Sequence, residues 1–165
     1  MKQFRTGLVM FTLLFTLLII GKNGNTSAQA SRKQSPAKTL LIFEKKQCFG
    51  FCPVYRAEFK TDGNVLVTAQ PPAKPKVQRT FRISRKEAQE LWKRGEQLGF
   101  FQLKDNYESL IPDYPAREIT LYKNNKPKKV TYTEGGPQAL DAYLNDLAQL
   151  VEKNLDVNFG PPKEE

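Results

Sequence analysis

Gln47-Cys48-Phe49-Gly50-Phe51-Cys52-Pro53-Val54-Tyr55 holds the only two cysteines of the chain. A disulfide needs its Cα atoms closer than about 7 Å, whereas four extended steps from Cys48 to Cys52 would cover about 13 Å. If the sulfurs are joined, the chain must double back between them. Gly50 lies at the middle of that reversal and takes positive φ without steric cost. Pro53 fixes φ where the chain leaves, a residue tolerated at the first position of a strand. The stretch therefore predicts a small closed turn at the head of a β-sheet. Its loop is so short that closure is worth only about 2 kcal/mol.

Strands are legible on both sides of the turn. Residues 39–46, with Thr39, Leu40, Leu41, Ile42 and Phe43, read as a first strand. Residues 54–60 alternate, Tyr55, Ala57 and Phe59 on one face and Arg56, Glu58 and Lys60 on the other, which is the period of a half-buried strand. Asp62-Gly63 is a hairpin turn signal, and residues 65–69 return. Pro71, Pro72 and Pro75 mark a surface connection before a fourth strand at 77–83. Ser84 and Glu87 have the spacing of a capping box. Ala88, Leu91, Trp92 and Leu98 then follow helical spacing, with Gly99 as the stop. Phe100, Phe101 and Leu103 are expected to tuck the chain back under the sheet.

Residues 105–117 read as irregular. Residues 118–122 and 129–133 form a second hairpin about Asn124-Asn125, and Gly135-Gly136-Pro137 breaks it. Leu140, Leu144, Leu147 and Val151 then make a helical stripe, with Tyr143 and Leu150 beside it. The order ββββαββα predicts an α+β fold, an antiparallel sheet with two helices packed on it.

The N-terminus reads as an export signal over residues 1–30. Lys2 and Arg5 precede an uncharged apolar run from Leu8 to Ile20, and Ala28-Gln29-Ala30 is an A-x-A cleavage site. The run is shorter than the roughly 20 residues a membrane-spanning helix needs, so contact with a membrane is expected only through an uncleaved signal. Residues 31–38 read as a flexible leader, 39–155 as one domain and 156–165 as a flexible tail. Cleavage after Ala30 leaves 135 residues and removes Lys2, Arg5 and Lys22, lowering the net charge from +9 to +6. The expected location is periplasmic or secreted.

The chain has no histidine. That excludes Ser-His-Asp and Cys-His nucleophiles and imidazole-ligated zinc, and no metal or cofactor is expected. For Cys48 and Cys52 three readings stand side by side: a structural disulfide, favoured by an oxidising compartment; a redox-active dithiol helped by Lys45, Lys46 and Arg56; and thiolate metal binding. Phe49, Phe51 and Tyr55 are candidates for an interaction surface, since aromatics on a rigid loop resemble interface anchors. The alternative for the two phenylalanines is core packing beneath the turn.

Basic residues cluster twice. Lys74, Lys76, Arg79, Arg82, Arg85 and Lys86 crowd one connection, strand and helix start, and Lys123, Lys126, Lys128 and Lys129 crowd the second hairpin. Lys74, Lys76, Arg79, Arg82, Lys128 and Lys129 are candidate anion-binding residues, against the alternative that charge keeps strand edges soluble and unpaired. Compartment and motifs disfavour nucleic acid. Asp105, Glu108, Asp113 and Glu118 are candidate acid/base carboxylates, and Tyr107 and Tyr114 candidate groove or lid residues.

Cys48-Phe49-Gly50-Phe51-Cys52-Pro53-Val54-Tyr55 resembles the Cys-aromatic-Gly-x-Cys-Pro-x-Tyr signature of a family of small exported bacterial proteins, a domain of unknown function. Asp62-Gly63 matches the turn that follows in that family, and Asp113-Tyr114-Pro115 a weaker motif. The likeness runs from Leu40 to about Leu150 and carries no catalytic residue, cofactor or substrate. The expected function is a non-catalytic binding module of the envelope, with an envelope protein or an anionic surface polymer as partner. The alternatives are a thiol-disulfide oxidoreductase at Cys48 and Cys52 or a carboxylate hydrolase in 105–118.

Overall fold

A computed structural model describes residues 36–109 and 115–160. The expected signal segment, most of the leader, the last five residues of the tail, Asp113 and Tyr114 lie outside those ranges. Alternation dictates the sheet. In β2 (Tyr55–Lys60) the buried residues are Tyr55, Ala57 and Phe59, and the same period runs through β3 (Asn64–Ala69), which buries Val65, Val67 and Ala69. Flanking them are β1 (Thr39–Lys45) and β4 (Val77–Arg82), and beyond lie β5 (Asn106–Tyr107), β6 (Arg117–Lys123) and β7 (Lys126–Tyr132). They make one sheet in the order β4-β3-β2-β1-β6-β7-β5. All its pairs are antiparallel except β5 with β7.

Two helices cover one face. Ser84 caps α1 (Arg85–Gln97), its Oγ accepting the Glu87 amide at 3.0 Å, which satisfies one of the free donors at the helix start. In α2 (Gln138–Asn154) the stripe Leu140, Tyr143, Leu144, Leu147 and Val151 is buried. The helices are tied to each other by Tyr143 Oη donating to the Leu91 carbonyl at 2.9 Å, and α1 to the sheet by Trp92 Nε1 donating to the Tyr122 carbonyl at 2.9 Å. An α+β fold is the result, in the order read from the sequence but for one added short strand.

Three details differ from the sequence reading. β7 starts at Lys126 rather than Lys129 and contains Pro127. Asn124 and Asn125 both take positive φ, so Lys123 and Lys126 flank a two-residue turn. The next pair, Tyr122 with Pro127, then has its main-chain groups pointing away from its partner. There β7 has no further neighbour among the described residues, because β5 reaches only Thr131 and Tyr132. β5 itself is an addition, a two-residue parallel strand in the segment read as irregular. Finally, Val157 and Phe159, within the segment expected to be a flexible tail, pack against the core.

Candidate functional site

The turn that joins β1 to β2 leaves the sheet at one end and is held at both feet. The Lys46 amide donates to the Ala116 carbonyl at 2.9 Å, prolonging β1–β6 pairing, and the Gln70 amide donates to the Val54 carbonyl at 2.8 Å, prolonging β2–β3 pairing. Between those feet Cys48 and Cys52 stand as a pair at disulfide distance, with Cα atoms 6.0 Å apart. Gly50 has φ +126°, a value other residues rarely adopt. Phe49 and Phe51 are 93% and 55% exposed. Core packing beneath the turn is therefore excluded for both.

Tyr55 is placed differently from its two companions. It is only 3% exposed and packs edge-to-face on Phe43 with ring centroids 6.0 Å apart. Its hydroxyl donates to Glu152 Oε1 at 3.1 Å, and Lys45 Nζ donates to the same oxygen at 2.8 Å. Burial, then the Glu152 charge and hydrogen bond, push the Tyr55 hydroxyl far above its ordinary pKa. As an interaction-surface residue Tyr55 is thus corrected: its phase in β2 puts it in the core, where it fastens the end of α2 beneath the turn.

Two adjoining clefts flank the turn and share Val54 and Gln70 in their walls. One, of about 310 Å³, is lined by Glu44, Lys46, Arg56, Thr68 and Lys76 among others. The other, of about 420 Å³, is lined by Gly50, Cys52, Pro71, Pro72 and Ala73. The Gln70 side chain braces the far wall by donating from Nε2 to the Lys74 carbonyl at 2.8 Å.

The cations near the cysteines are engaged by carboxylates. Lys45 pairs with Glu152, Lys46 with Glu44 and Glu118, and Arg56 with Glu44 and Glu58. With Lys129 on Glu118 at 3.3 Å, the cations Lys46, Arg56 and Lys129 join Glu44, Glu58 and Glu118 into a charge lattice across the sheet face opposite the helices. Register explains it: Arg56, Glu44 and Glu118 are cross-strand neighbours on β2, β1 and β6. Two like charges thus lie side by side, and Lys46 bridges them.

Acid is expected to weaken this lattice. The Thr39 hydroxyl, against burial and helped by Arg56, holds Glu58 below its ordinary pKa. Burial alone would raise Glu118, but its bonds and attraction to Lys46 and Lys129 outweigh that and lower it. A carboxylate whose folded pKa is depressed stabilises the fold above the ordinary carboxylate range, and that contribution is lost as pH falls through the folded value. Urea midpoints measured from pH 6 downward should therefore begin to fall below about pH 4.5. In a Glu58→Gln/Glu118→Gln variant the fall should be shallower; equal slopes would show that the lattice contributes nothing.

The remaining candidate residues do not converge. Lys128 pairs with Asp105 from the helix-bearing side of β7, while Glu118 points to the other face, and Glu108 is exposed. Tyr107 packs on Tyr132 at 6.1 Å against the core. Lys128 and Lys129 are both in ion pairs and have four strands between them and β4, so they form no common patch with Lys74, Lys76, Arg79 and Arg82. Among the described residues no cluster of metal-ligating side chains occurs. The Glu152 anchor and the charge lattice were not found from sequence; the alternations Glu44/Lys46 and Arg56/Glu58 were its only signal.

A family model described as a domain of unknown function, DUF6438, matches residues 39–151, close to the span over which the family likeness was expected. A search of curated proteins found no match.

Proposed function

The chain belongs to the DUF6438 family of unknown function, and from that premise we propose an exported binding module of the cell envelope whose docking element is the turn at residues 48–52. The sulfurs of Cys48 and Cys52 are joined in it, and Phe49 and Phe51 anchor an envelope protein. One observation carries this reading: these two are the large hydrophobic side chains left exposed among the described residues. Burying a phenylalanine is worth about 1.5–3 kcal/mol, so a turn that presents two of them on fixed feet is built to be covered. Aromatic anchors beside a pocket are the usual form of an interface hot spot.

The test compares wild type with Phe49→Ser/Phe51→Ser by crosslinking and pull-down from the envelope, alongside thermal melts. Recovery of the crosslinked partner should drop at least about tenfold, the effect of losing one hot spot, while the melting temperature stays put. Unchanged recovery, or a large loss of stability, ends the reading.

The rival is a thiol-disulfide oxidoreductase, which draws on Cys52 lining the second cleft. Alkylation separates the two. In protein purified without reductant, a joined pair stays unlabelled until the chain is unfolded and reduced. Rapid labelling of the native protein would support the rival.

A further inference from the structure

Among the described residues β4 ends the sheet and pairs only with β3. The Ile83 amide donates to the Gly63 carbonyl at 3.0 Å, and antiparallel pairing alternates. The main-chain groups of Val77, Arg79 and Phe81 therefore face β3, and those of Gln78, Thr80 and Arg82 face the open edge. The described neighbours leave six residues of extended backbone available along that edge, with only the Gln78 carbonyl engaged, by Arg79 Nη1 at 3.0 Å.

Charge along the edge is one-sided. Residues 70–86 contain Lys74, Lys76, Arg79, Arg82, Arg85 and Lys86 and no acidic residue. Elsewhere on the sheet most cations are matched: Lys45, Lys46, Arg56, Arg117, Lys123, Lys128 and Lys129 sit in ion pairs, Lys60 and Lys126 being the exceptions among the described residues. Among the described residues, Lys74, Lys76, Arg79 and Arg82 form none, although Arg82 contributes to holding the Asp62 carboxyl below its ordinary pKa, after the hydrogen bonds from Asn64. Lys76, Arg79 and Arg82 recur every third residue. On a strand that spacing alternates faces, so the cations flank the edge on both sides.

We propose that β4 receives an extended acidic segment of a partner protein as an added strand, with carboxylates three positions apart against Lys76, Arg79 and Arg82. Strand addition supplies main-chain hydrogen bonds for affinity and side-chain positions for specificity. The charge selects the occupant. A second copy of β4 would bring two cationic sets together, and the leader of this chain is itself basic at Arg32 and Lys33. An anionic polymer would meet the charge but make no use of the open amides. This inference stands apart from the docking turn and does not depend on it.

The experiment uses a short synthetic peptide in which threonine and valine separate glutamates placed every third position, with dextran sulfate as the polymer control. Binding to the full chain should weaken as ionic strength rises from about 0.05 to 0.15 M. Hydrogen exchange should show new protection at the Gln78, Thr80 and Arg82 amides, leaving Val77, Arg79 and Phe81 unchanged. Thr80→Pro removes one edge-facing donor while keeping the ladder to β3, and should weaken peptide binding about tenfold. Arg79→Ala/Arg82→Ala should weaken it at least as much, and Phe49→Ser/Phe51→Ser should not affect it. Peptide binding that survives Thr80→Pro without amide protection, or matches dextran sulfate in every variant, would make the edge a plain anion surface and overturn the proposal. So would dimerisation of the protein through β4 in the absence of peptide.

Discussion

Phe43→Ala is expected to lower the unfolding free energy by about 3–5 kcal/mol, the range for emptying a buried aromatic site. Phe43 is 0% exposed on β1, a strand with a neighbour on either side. Its register partners are Ala57 on β2 and Ile119 on β6. Ala57 is too small to fill the space that Phe43 occupies above it, so the cavity cannot close by a modest shift. The Tyr55 ring would also lose its edge-to-face contact. Domains of this size hold about 5–15 kcal/mol in total, which makes the loss a large share of the whole. Urea denaturation should show a lower midpoint at unchanged slope. A loss below about 1 kcal/mol, the scale of a conservative swap, would mean that Phe43 is not the keystone of this core.

Gly63→Ala should be nearly as damaging, for a different reason. Gly63 has φ +85°, and a Cβ there would collide with the Ile83 carbonyl oxygen. The left-handed backbone costs an alanine about 1–2 kcal/mol by itself, and the collision with main chain cannot be relieved by turning a side chain. The same residue's carbonyl accepts the Ile83 amide, so relief would pry the end of β4 from the β2–β3 turn. A total above about 2 kcal/mol is expected by thermal or chemical denaturation. Gly50→Ala is the control: φ is also positive, but a Cβ there meets nothing within 4 Å. It should cost only the backbone contribution. Equal losses at the two positions would remove the collision from the account.

What the sequence displayed depended on whether a single element carried its own signal. The alternation of 54–60, the Ser84 cap and the α2 stripe each declare themselves within a few residues, and each was found in place. Tyr55 shows how a motif can mislead: grouped with Phe49 and Phe51 it reads as surface, yet its parity with Ala57 and Phe59 already assigned it to the buried side. β5 has two residues and therefore no period to detect. The charge lattice needs the registers of four strands at once, which no local pattern contains. The two basic clusters looked alike in composition; only pairing partners distant in sequence, Asp105 for Lys128 and Glu118 for Lys129, distinguish the neutralised one from the unmatched one.

The turn at Cys48–Cys52 springs from β1 and β2, which lie inside the sheet with β3 and β6 on their outer flanks. A pull on the tip therefore enters along the strand axes and tries to slide two interior strands past those flanks. The hydrogen bonds of both borders then resist in shear, together, instead of unzipping one after another. A tether attached there would hold under load, and the terminal strands would be spared the strain.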